Sequence, residues 1–151
     1  MAIIFDANRK IFTIHTKHTT YQMQADAKGY LLHLYYGVRV KGTMDYLLCY
    51  ADHGFSGNPY AAGMDRTYSL DALPQEYPSL GTGDCRNIAL NITSAVGTEC
   101  CDPIFNSYKI TKGKYSLQGL PAVWAADDEA ETLEIVLKDD LTQVEIHLLY
   151  G

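Results

Sequence analysis

The side chains best suited to chemistry in this 151-residue sequence lie in one segment rich in glycine and proline, residues 51–83. Its glycines and prolines fix backbone shape, and its Asp, Arg and aromatic residues, among them Asp52 and Arg66, supply charged groups and rings. Aromatic faces stack on the apolar face of a sugar ring, while carboxylates and guanidinium groups hydrogen-bond to paired hydroxyls. The composition therefore favours a sugar-contacting surface. An ion pair of Asp52 or Asp65 with Arg66 that only pins a loop would give the same pattern.

A self-contained active site is not recognisable in the sequence. A retaining glycosidase needs two carboxylates roughly 5–5.5 Å apart, and no Asp or Glu here stands in a recognisable catalytic context. A nucleophile elbow and a phosphate-binding loop are also missing. The spacing of the four cysteines, which are Cys49, Cys85, Cys100 and Cys101, is not that of a zinc site. We expect reduced thiols, no metal and no cofactor.

Composition and charge narrow the class of protein. The chain is 47% hydrophobic and 20% charged, which is ordinary for a globular domain, and its formal net charge is −6. Because no run of Lys and Arg could neutralise phosphates, nucleic acid and anionic membranes are excluded as expected partners. The sequence has neither a secretory leader nor an apolar run of about 18 residues. We therefore predict a cytoplasmic protein.

Alternating apolar and polar residues predict the elements that must position the long segment. Leu133, Ile135 and Leu137 alternate with polar or oppositely facing neighbours, and Val144, Ile146 and Leu148 repeat the pattern, which predicts a hairpin. Further strands are predicted at residues 11–15, 20–24, 30–36, 46–50, 88–92, 105–110 and 114–118. Residues 125–130 are expected to form a loop or a single turn. Short strands at this spacing predict an all-β fold, an antiparallel β-sandwich.

The alternation lapses over residues 51–83, and a connection of this length is uncommon in a compact domain unless it is functional. At the other end of the sequence, the last predicted strand continues apolar to Leu149 and Tyr150 before Gly151. We therefore expect residues 1–151 to form one domain that is truncated relative to its parent protein.

Several blocks of the sequence resemble a known family. The most specific are Asp-Arg-Thr-Tyr-Ser-Leu-Asp at 65–71 and Leu-Pro-Gln-Glu-Tyr-Pro at 73–78. Further matching blocks lie at 3–6, 12–16, 19–23, 30–37, 54–59, 113–122 and 130–135. Together they closely resemble the start of the α-galactosidases of glycoside hydrolase family 36, over nearly the whole chain.

The resemblance implies a retaining enzyme that releases α-linked galactose from oligosaccharides such as melibiose and raffinose. In that family a β-supersandwich precedes a catalytic (β/α)8 barrel that carries both catalytic Asp residues. Neither catalytic motif occurs here, so the expectation is a partial β-supersandwich without catalytic residues. In tetrameric members, loops of this domain enter a neighbouring subunit's active site. By motif position the substrate-contacting candidates are Asp52, Phe55, Asn58 and Arg66, and a homo-oligomer is expected.

Two departures from the family pattern leave the fine contacts of this loop open. His53 stands where the family commonly has Arg, and Cys100 with Cys101 replaces what is often a single cysteine. Three hypotheses remain for the chain. The favoured one is the non-catalytic amino-terminal domain of an α-galactosidase, and the others are a free-standing carbohydrate-binding module and a structural or oligomerisation domain.

Overall fold

The structure is a computed structural model that describes residues 2–54, 57–126 and 129–151. Its strands are β1 (Ala2–Asp6), β2 (Ile11–His15), β3 (Thr19–Ala25), β4 (Leu31–Val38), β5 (Ile104–Lys112), β6 (Glu131–Lys138) and β7 (Glu145–Tyr150). Two short 3-10 turns occupy Asp45–Leu47 and Tyr60–Ala62. Within these described ranges, no helix is long and apolar enough to cross a membrane.

The strands form two antiparallel sheets, each with its strands in chain order. One contains β1-β2-β3-β4 and the other β5-β6-β7. Phe12, Ile14 and Met23 of the first sheet share one buried cluster with Leu133, Ile135 and Leu137 of the second. Burial of this apolar surface stabilises the fold by about 25 cal/mol per Å². The prediction of an all-β antiparallel sandwich, with Leu133, Ile135 and Leu137 on one face of the final hairpin, is confirmed.

The outer face of the first sheet is covered by the chain that follows β4. Gln22 is 1% exposed, and its side-chain amide donates to the Gly42 carbonyl (2.9 Å) and accepts from the Met44 backbone N–H (3.0 Å). Thr20 accepts from the Val40 N–H at 3.0 Å. These hydrogen bonds satisfy polar groups that burial would otherwise penalise. Both faces of β2 and β3 are therefore enclosed.

The long segment, residues 51–83, is partly a second core and not a free loop. Ala62, Tyr68, Leu70 and Leu73 are buried against residues of β4 and its preceding turn. The backbone at 74–76 runs along β4, where the His33 N–H donates to the Pro74 carbonyl (2.7 Å) and the Glu76 N–H donates to the Leu31 carbonyl (2.9 Å). This half of the segment therefore has a fixed place in the fold, although it forms no strand of its own.

Glu76 also connects this segment to both sheets. Its carboxylate accepts hydrogen bonds from the hydroxyls of Tyr21 in β3 (2.5 Å) and Tyr150 in β7 (2.8 Å). The imidazole Nδ1 of His33 in β4 lies 3.4 Å from the same carboxylate. One side chain therefore holds the long segment, the four-stranded sheet and the three-stranded sheet together.

Three predicted strands do not form. Residues 46–50 begin within a 3-10 turn and expose Tyr46 and Leu47, and no strand within the described ranges pairs with them. Residues 88–92 make a single bridge, between Leu90 and Ser79. Residues 114–118 follow Gly113, whose φ of +85° ends β5. Alternation alone is insufficient where no ladder partner is available.

Strand β1 was missed for the opposite reason. Its residues Ile3, Ile4 and Phe5 are consecutive apolar residues without a period of two. They form a strand because β2 offers a partner, with Phe5 paired to Phe12. The rings of these two residues stack with centroids 4.5 Å apart.

Candidate functional site

Asp52 and Arg66, two of the four predicted site residues, contact each other at the surface. Arg66 Nε lies 3.2 Å from Asp52 Oδ2, and Arg66 Nη2 donates to Asp52 Oδ1 at 3.3 Å. The Arg66 side chain is 66% exposed and that of Asp52 is 47% exposed. An exposed pair of this kind contributes about 0–1 kcal/mol to stability. The pairing foreseen as an alternative is present, and it leaves both groups accessible to a ligand.

The backbone fixes the direction of the Asp52 carboxylate. Its Oδ1 also accepts the N–H of Gly54 at 2.8 Å, closing a turn in which Gly54 has a φ of +79°. Glycine adopts this left-handed conformation without the steric penalty that a side chain would bring. Arg66 is therefore oriented by a carboxylate that is itself held by the main chain.

Asn58, the third site residue, belongs to the neighbouring turn. Its side-chain amide donates to the Asp65 carbonyl at 2.6 Å. The carboxylate of Asp65 accepts from the N–H (2.9 Å) and hydroxyl (2.7 Å) of Thr67. These hydrogen bonds lower the pKa of Asp65. Asp65 is thus engaged with Thr67, and the structure assigns Arg66 to Asp52.

The fourth predicted site residue, Phe55, lies outside the described residues. The structure brings together Asp52 and Arg66 through their side chains. Asn58 lies close to this pair, because its side-chain amide donates to the carbonyl of Asp65, the residue that precedes Arg66. These three residues are hereafter called the Asp52–Arg66 surface.

A pair of tyrosines flanks the loop that carries this surface. Tyr50 precedes Asp52 and Tyr68 follows Arg66, and their rings stack with centroids 6.0 Å apart and planes 28° apart. The Tyr68 hydroxyl donates to the buried carboxylate of Asp26. Burial, reinforced by this hydrogen bond, raises the pKa of Tyr68. The loop therefore leaves and re-enters the fold at one place, where the two rings meet.

Asp26 anchors this arrangement, and it lies in the turn between β3 and β4. Its Oδ1 accepts the backbone N–H groups of Lys28 (2.8 Å) and Tyr30 (2.9 Å), and its Oδ2 accepts from Tyr68. The residue is 7% exposed. Asp26, Tyr50 and Tyr68 were not predicted from the sequence as supports of this surface. The signal at Asp26 is an Asp at the start of a turn, which is common in turns of every kind.

Two glycines bring distant parts of the long segment into close contact. Gly83 has a φ of +91°, and a Cβ atom added there would lie 2.7 Å from the Gly57 carbonyl oxygen. The same oxygen accepts the Ser69 hydroxyl at 3.2 Å. A side chain at position 83 would strain the backbone. It would also push apart the two chain segments that cross at Gly57 and Gly83. The crossing holds the chain immediately before Asn58.

An ion pair between Asp84 and Arg86 organises the second half of the segment. Arg86 donates to Asp84 through Nε (2.9 Å) and Nη2 (2.8 Å), and Nη2 also donates to the carbonyls of Leu70 and Leu73, each at 2.8 Å. The Asp84 side chain is 1% exposed. Hydrogen bonds from Arg86 lower the pKa of Asp84 despite its burial. This clamp supports the turn that follows Arg66.

The chemical capacity of the Asp52–Arg66 surface is binding by hydrogen bonds. The carboxylate accepts, the guanidinium and the amide donate, and all three groups face solvent at least in part. Over residues 2–54, 57–126 and 129–151, no group of three or more His, Cys, Asp and Glu side chains could hold a metal ion. The four cysteines are free thiols, and burial raises the pKa of Cys101 to about 11.

Comparison with known proteins adds the family context. Residues 29–151 match the family described as "Glycosyl hydrolase family 36 N-terminal domain". The bifunctional α-galactosidase/sucrose kinase AgaSK of Mediterraneibacter gnavus is 72% identical over 151 residues, which are 100% of this chain and 16% of AgaSK. The α-galactosidase Mel36A of Lactobacillus acidophilus is 40% identical over 150 residues, or 98% of this chain and 20% of Mel36A.

Solved structures agree with these sequence matches. The galactosidase domain of AgaSK superimposes with a TM-score of 0.96 at 72% identity, covering 99% of this chain and 21% of that structure. A variant of the α-galactosidase AgaA from Geobacillus stearothermophilus, solved in complex with raffinose, gives a TM-score of 0.86 at 40% identity, covering 93% of this chain and 20% of its own. The chain spans about a fifth or less of the length of these relatives.

Proposed function

This chain belongs to the amino-terminal domain of glycosyl hydrolase family 36, and from that membership we propose that it presents the Asp52–Arg66 surface to the active site of an α-galactosidase. The hydrolytic centre lies on other polypeptide. In this proposal the two sheets are the scaffold, the clamped loop is the substrate-contacting part, and α-galactosides are the substrates. The proposal requires no cofactor.

The observation that carries the proposal is the way the Asp52–Arg66 pair is held. An ion pair whose role was to stabilise the fold would be expected to have a carboxylate enclosed in a hydrogen-bond network, as Asp84 has with Arg86, where the Asp84 side chain is 1% exposed. Asp52 and Arg66 instead remain 47% and 66% exposed while the loop ends are clamped at Tyr50 and Tyr68. Rigid supports beneath accessible polar groups are typical of binding sites.

Each candidate residue has a distinct role in this proposal. The Asp52 carboxylate accepts hydrogen bonds from substrate hydroxyls, and the Arg66 guanidinium donates to neighbouring ones. Asn58 sets the spacing between the two turns through Asp65, and Phe55 is retained as a candidate from the family motif alone. We propose assembly as a homo-oligomer in the cytoplasm, so that the loop of one subunit completes the site of another.

A free-standing carbohydrate-binding module is the second hypothesis, and the comparisons favour the first. Every relative named above is an α-galactosidase or the galactosidase part of a larger enzyme, and each is several times longer than this chain. AgaA variants have been solved with raffinose and with stachyose. Those facts belong to the relatives and support a galactoside as the ligand class here.

The proposal is tested by activity in two protein forms. The purified 151-residue chain should leave p-nitrophenyl-α-galactoside intact. A fusion in which this chain replaces the matching 16% of AgaSK should hydrolyse it. Hydrolysis by the isolated chain would contradict the proposal, and so would a folded fusion of the correct size that lacks activity.

A further inference from the structure

A cleft of about 510 Å³ opens next to the Asp52–Arg66 surface, and none of the roles described above uses it. Three parts of the fold line it: residues 58–60 of the long segment, residues 81–83 with the chain before β5, and the turn of the β6–β7 hairpin. Its volume lies within the range of roughly 300–1,000 Å³ that is typical of small-molecule pockets. Because Asn58 lines the cleft, the two surfaces are continuous.

Tyr60 lies at the rim of this cleft, with its side chain fully in solvent at 102% relative exposure. The residue begins the 3-10 turn Tyr60–Ala62, which is closed by a hydrogen bond from the Gly63 N–H to the Tyr60 carbonyl at 3.0 Å. Ala62 of the same turn is buried in the second core. An exposed aromatic ring on a fixed turn offers a stacking face whose backbone needs little ordering on binding.

Asp102 supplies an acceptor inside the cleft, beside the hydroxyl of the buried Tyr30. Burial, followed by the nearby Asp139 carboxylate, raises the pKa of Asp102, although the Tyr30 hydroxyl favours its charged form. In the described parts of the chain, Asp102 forms no salt bridge with Lys, Arg or His. Its carboxylate therefore retains capacity to accept hydrogen bonds from a ligand.

Asp139, the other carboxylate of the cleft, is already satisfied by the protein. It accepts the N–H of Leu141 (3.0 Å), the hydroxyl of Thr142 (2.8 Å) and the N–H of Asp102 (3.3 Å). Burial would raise the pKa of Asp139, but these hydrogen bonds outweigh it and lower the pKa. Asp139 shapes the hairpin turn, which leaves Asp102 as the carboxylate that a ligand can use.

We propose that this cleft binds a neutral sugar ring, one of the units of an α-galactoside that extend beyond the galactose contacted by the Asp52–Arg66 surface. A sugar uses both features of the cleft, because its C–H face stacks on Tyr60 while its hydroxyls donate to Asp102. A simple cation would use only the carboxylate. The choice of ligand class rests on the proposed function.

The test is titration of the ¹⁵N-labelled 151-residue chain with raffinose, with galactose in parallel, followed by NMR. Raffinose should shift the backbone amides of residues 60, 82–83, 101–102 and 141–142, with an affinity on the order of millimolar. Galactose alone should shift them less, because it lacks the additional units. Tyr60→Ala and Asp102→Asn should each weaken raffinose binding by roughly threefold to tenfold.

Two matched variants control for loss of an aromatic ring and loss of a charge. Tyr46→Ala removes a tyrosine that is 73% exposed in the other 3-10 turn, and Asp140→Asn removes a carboxylate that does not line the cleft. Both should bind raffinose like the unmodified chain. No shifts in the cleft at about 100 mM raffinose, or equal weakening by the control variants, would overturn the proposal.

The failure of this proposal is distinguishable from failure of the proposed function. Asp52→Ala should weaken raffinose binding through loss of the galactose contact, but the shifts at residues 101–102 and 141–142 should still appear at saturating raffinose, because that side chain does not line the cleft. An inactive fusion with AgaSK would contradict the proposed function, whereas the shifts measured on the isolated chain would still support the sugar site. An unperturbed cleft would contradict the sugar site while the fusion remained active.

Discussion

The ring of Tyr50 lies on that of Tyr68, with centroids 6.0 Å apart, so that two residues 18 positions apart in sequence close the base of the Asp52–Arg66 loop. Tyr68 is in turn anchored to Asp26 in the turn between β3 and β4. The accessible groups of the loop are thus connected to the sheet by a short chain of contacts. This arrangement explains how an irregular segment can present side chains in a defined geometry.

Loss of this stacking should loosen the loop without unfolding the domain. We expect Tyr50→Ala to lower the free energy of unfolding by about 0.5–1.5 kcal/mol, which is typical of an aromatic pair. Amide hydrogen exchange should become faster over residues 52–54 and 57–66. Tyr46→Ala, which removes an exposed tyrosine outside the pair, should change neither quantity. Unchanged exchange in Tyr50→Ala would exclude the stacking as a support of the loop.

Asp26 should be among the more sensitive polar positions. Its replacement by Ala leaves the Tyr68 hydroxyl and the N–H groups of Lys28 and Tyr30 without their acceptor. A buried group left unsatisfied costs about 1–3 kcal/mol, so we expect a loss of at least 2 kcal/mol in urea unfolding. Asp140→Ala, at an exposed position, is the control. A loss below about 0.5 kcal/mol would contradict the anchoring role of Asp26.

The crossing of Gly57 and Gly83 can be tested with a pair of glycine substitutions. Gly83→Ala introduces both backbone strain at a φ of +91° and a Cβ atom 2.7 Å from the Gly57 carbonyl oxygen. Gly97→Ala introduces strain at a similar φ of +83°, where nothing lies within 4 Å of the new atom. Strain alone costs about 1–2 kcal/mol. The melting temperature should therefore fall further for Gly83→Ala, and equal decreases would argue against the close crossing.

The Asp84–Arg86 clamp predicts a dependence of stability on pH. Hydrogen bonds from Arg86 lower the pKa of Asp84 below its ordinary value of 3.8, more than offsetting burial. As pH falls, Asp84 therefore takes up a proton at a higher pH in the unfolded state than in the folded state. The contribution of Asp84 is fully present above its ordinary pKa and is lost as pH falls through the lower value of the folded state. We expect the difference in unfolding free energy between the unmodified chain and Asp84→Asn to shrink below about pH 4. A difference that grows on acidification would contradict this assignment.

The sequence was informative where one local pattern dominated. Strict alternation predicted the final hairpin, in which Ile135 and Leu137 are buried as expected. The same pattern predicted that the strands form antiparallel sheets packed face to face. Glycine and proline content located the long segment, and the chemistry of Asp52 and Arg66 indicated an ion pair that the structure contains. Each of these features depends on residues close together in sequence or on a repeat.

The features that escaped prediction depend on contacts between distant residues. Asp26 meets Tyr68 across 42 positions, and Glu76 meets Tyr150 across 74. No periodicity marks such pairs. The predicted strand at 46–50 failed for the same reason, because a ladder partner is a property of the fold and not of the segment. The second core formed by Leu70 and Leu73 was hidden among glycines and prolines.

The measurement that tests the central claim most directly is the hydrolysis of raffinose by the fusion with AgaSK, compared between Arg66→Ala and Arg9→Ala. Both substitutions remove an arginine from an exposed ion pair, since Arg9 Nη1 lies 3.3 Å from Asp45 Oδ1. We predict that Arg66→Ala lowers kcat/KM by roughly 10-fold to 100-fold, the effect of losing a charged hydrogen bond to substrate. Arg9→Ala should leave kcat/KM unchanged, and both variants should keep the melting temperature within a few degrees. Equal kcat/KM values for the two variants would contradict the claim that this domain presents Arg66 to the substrate.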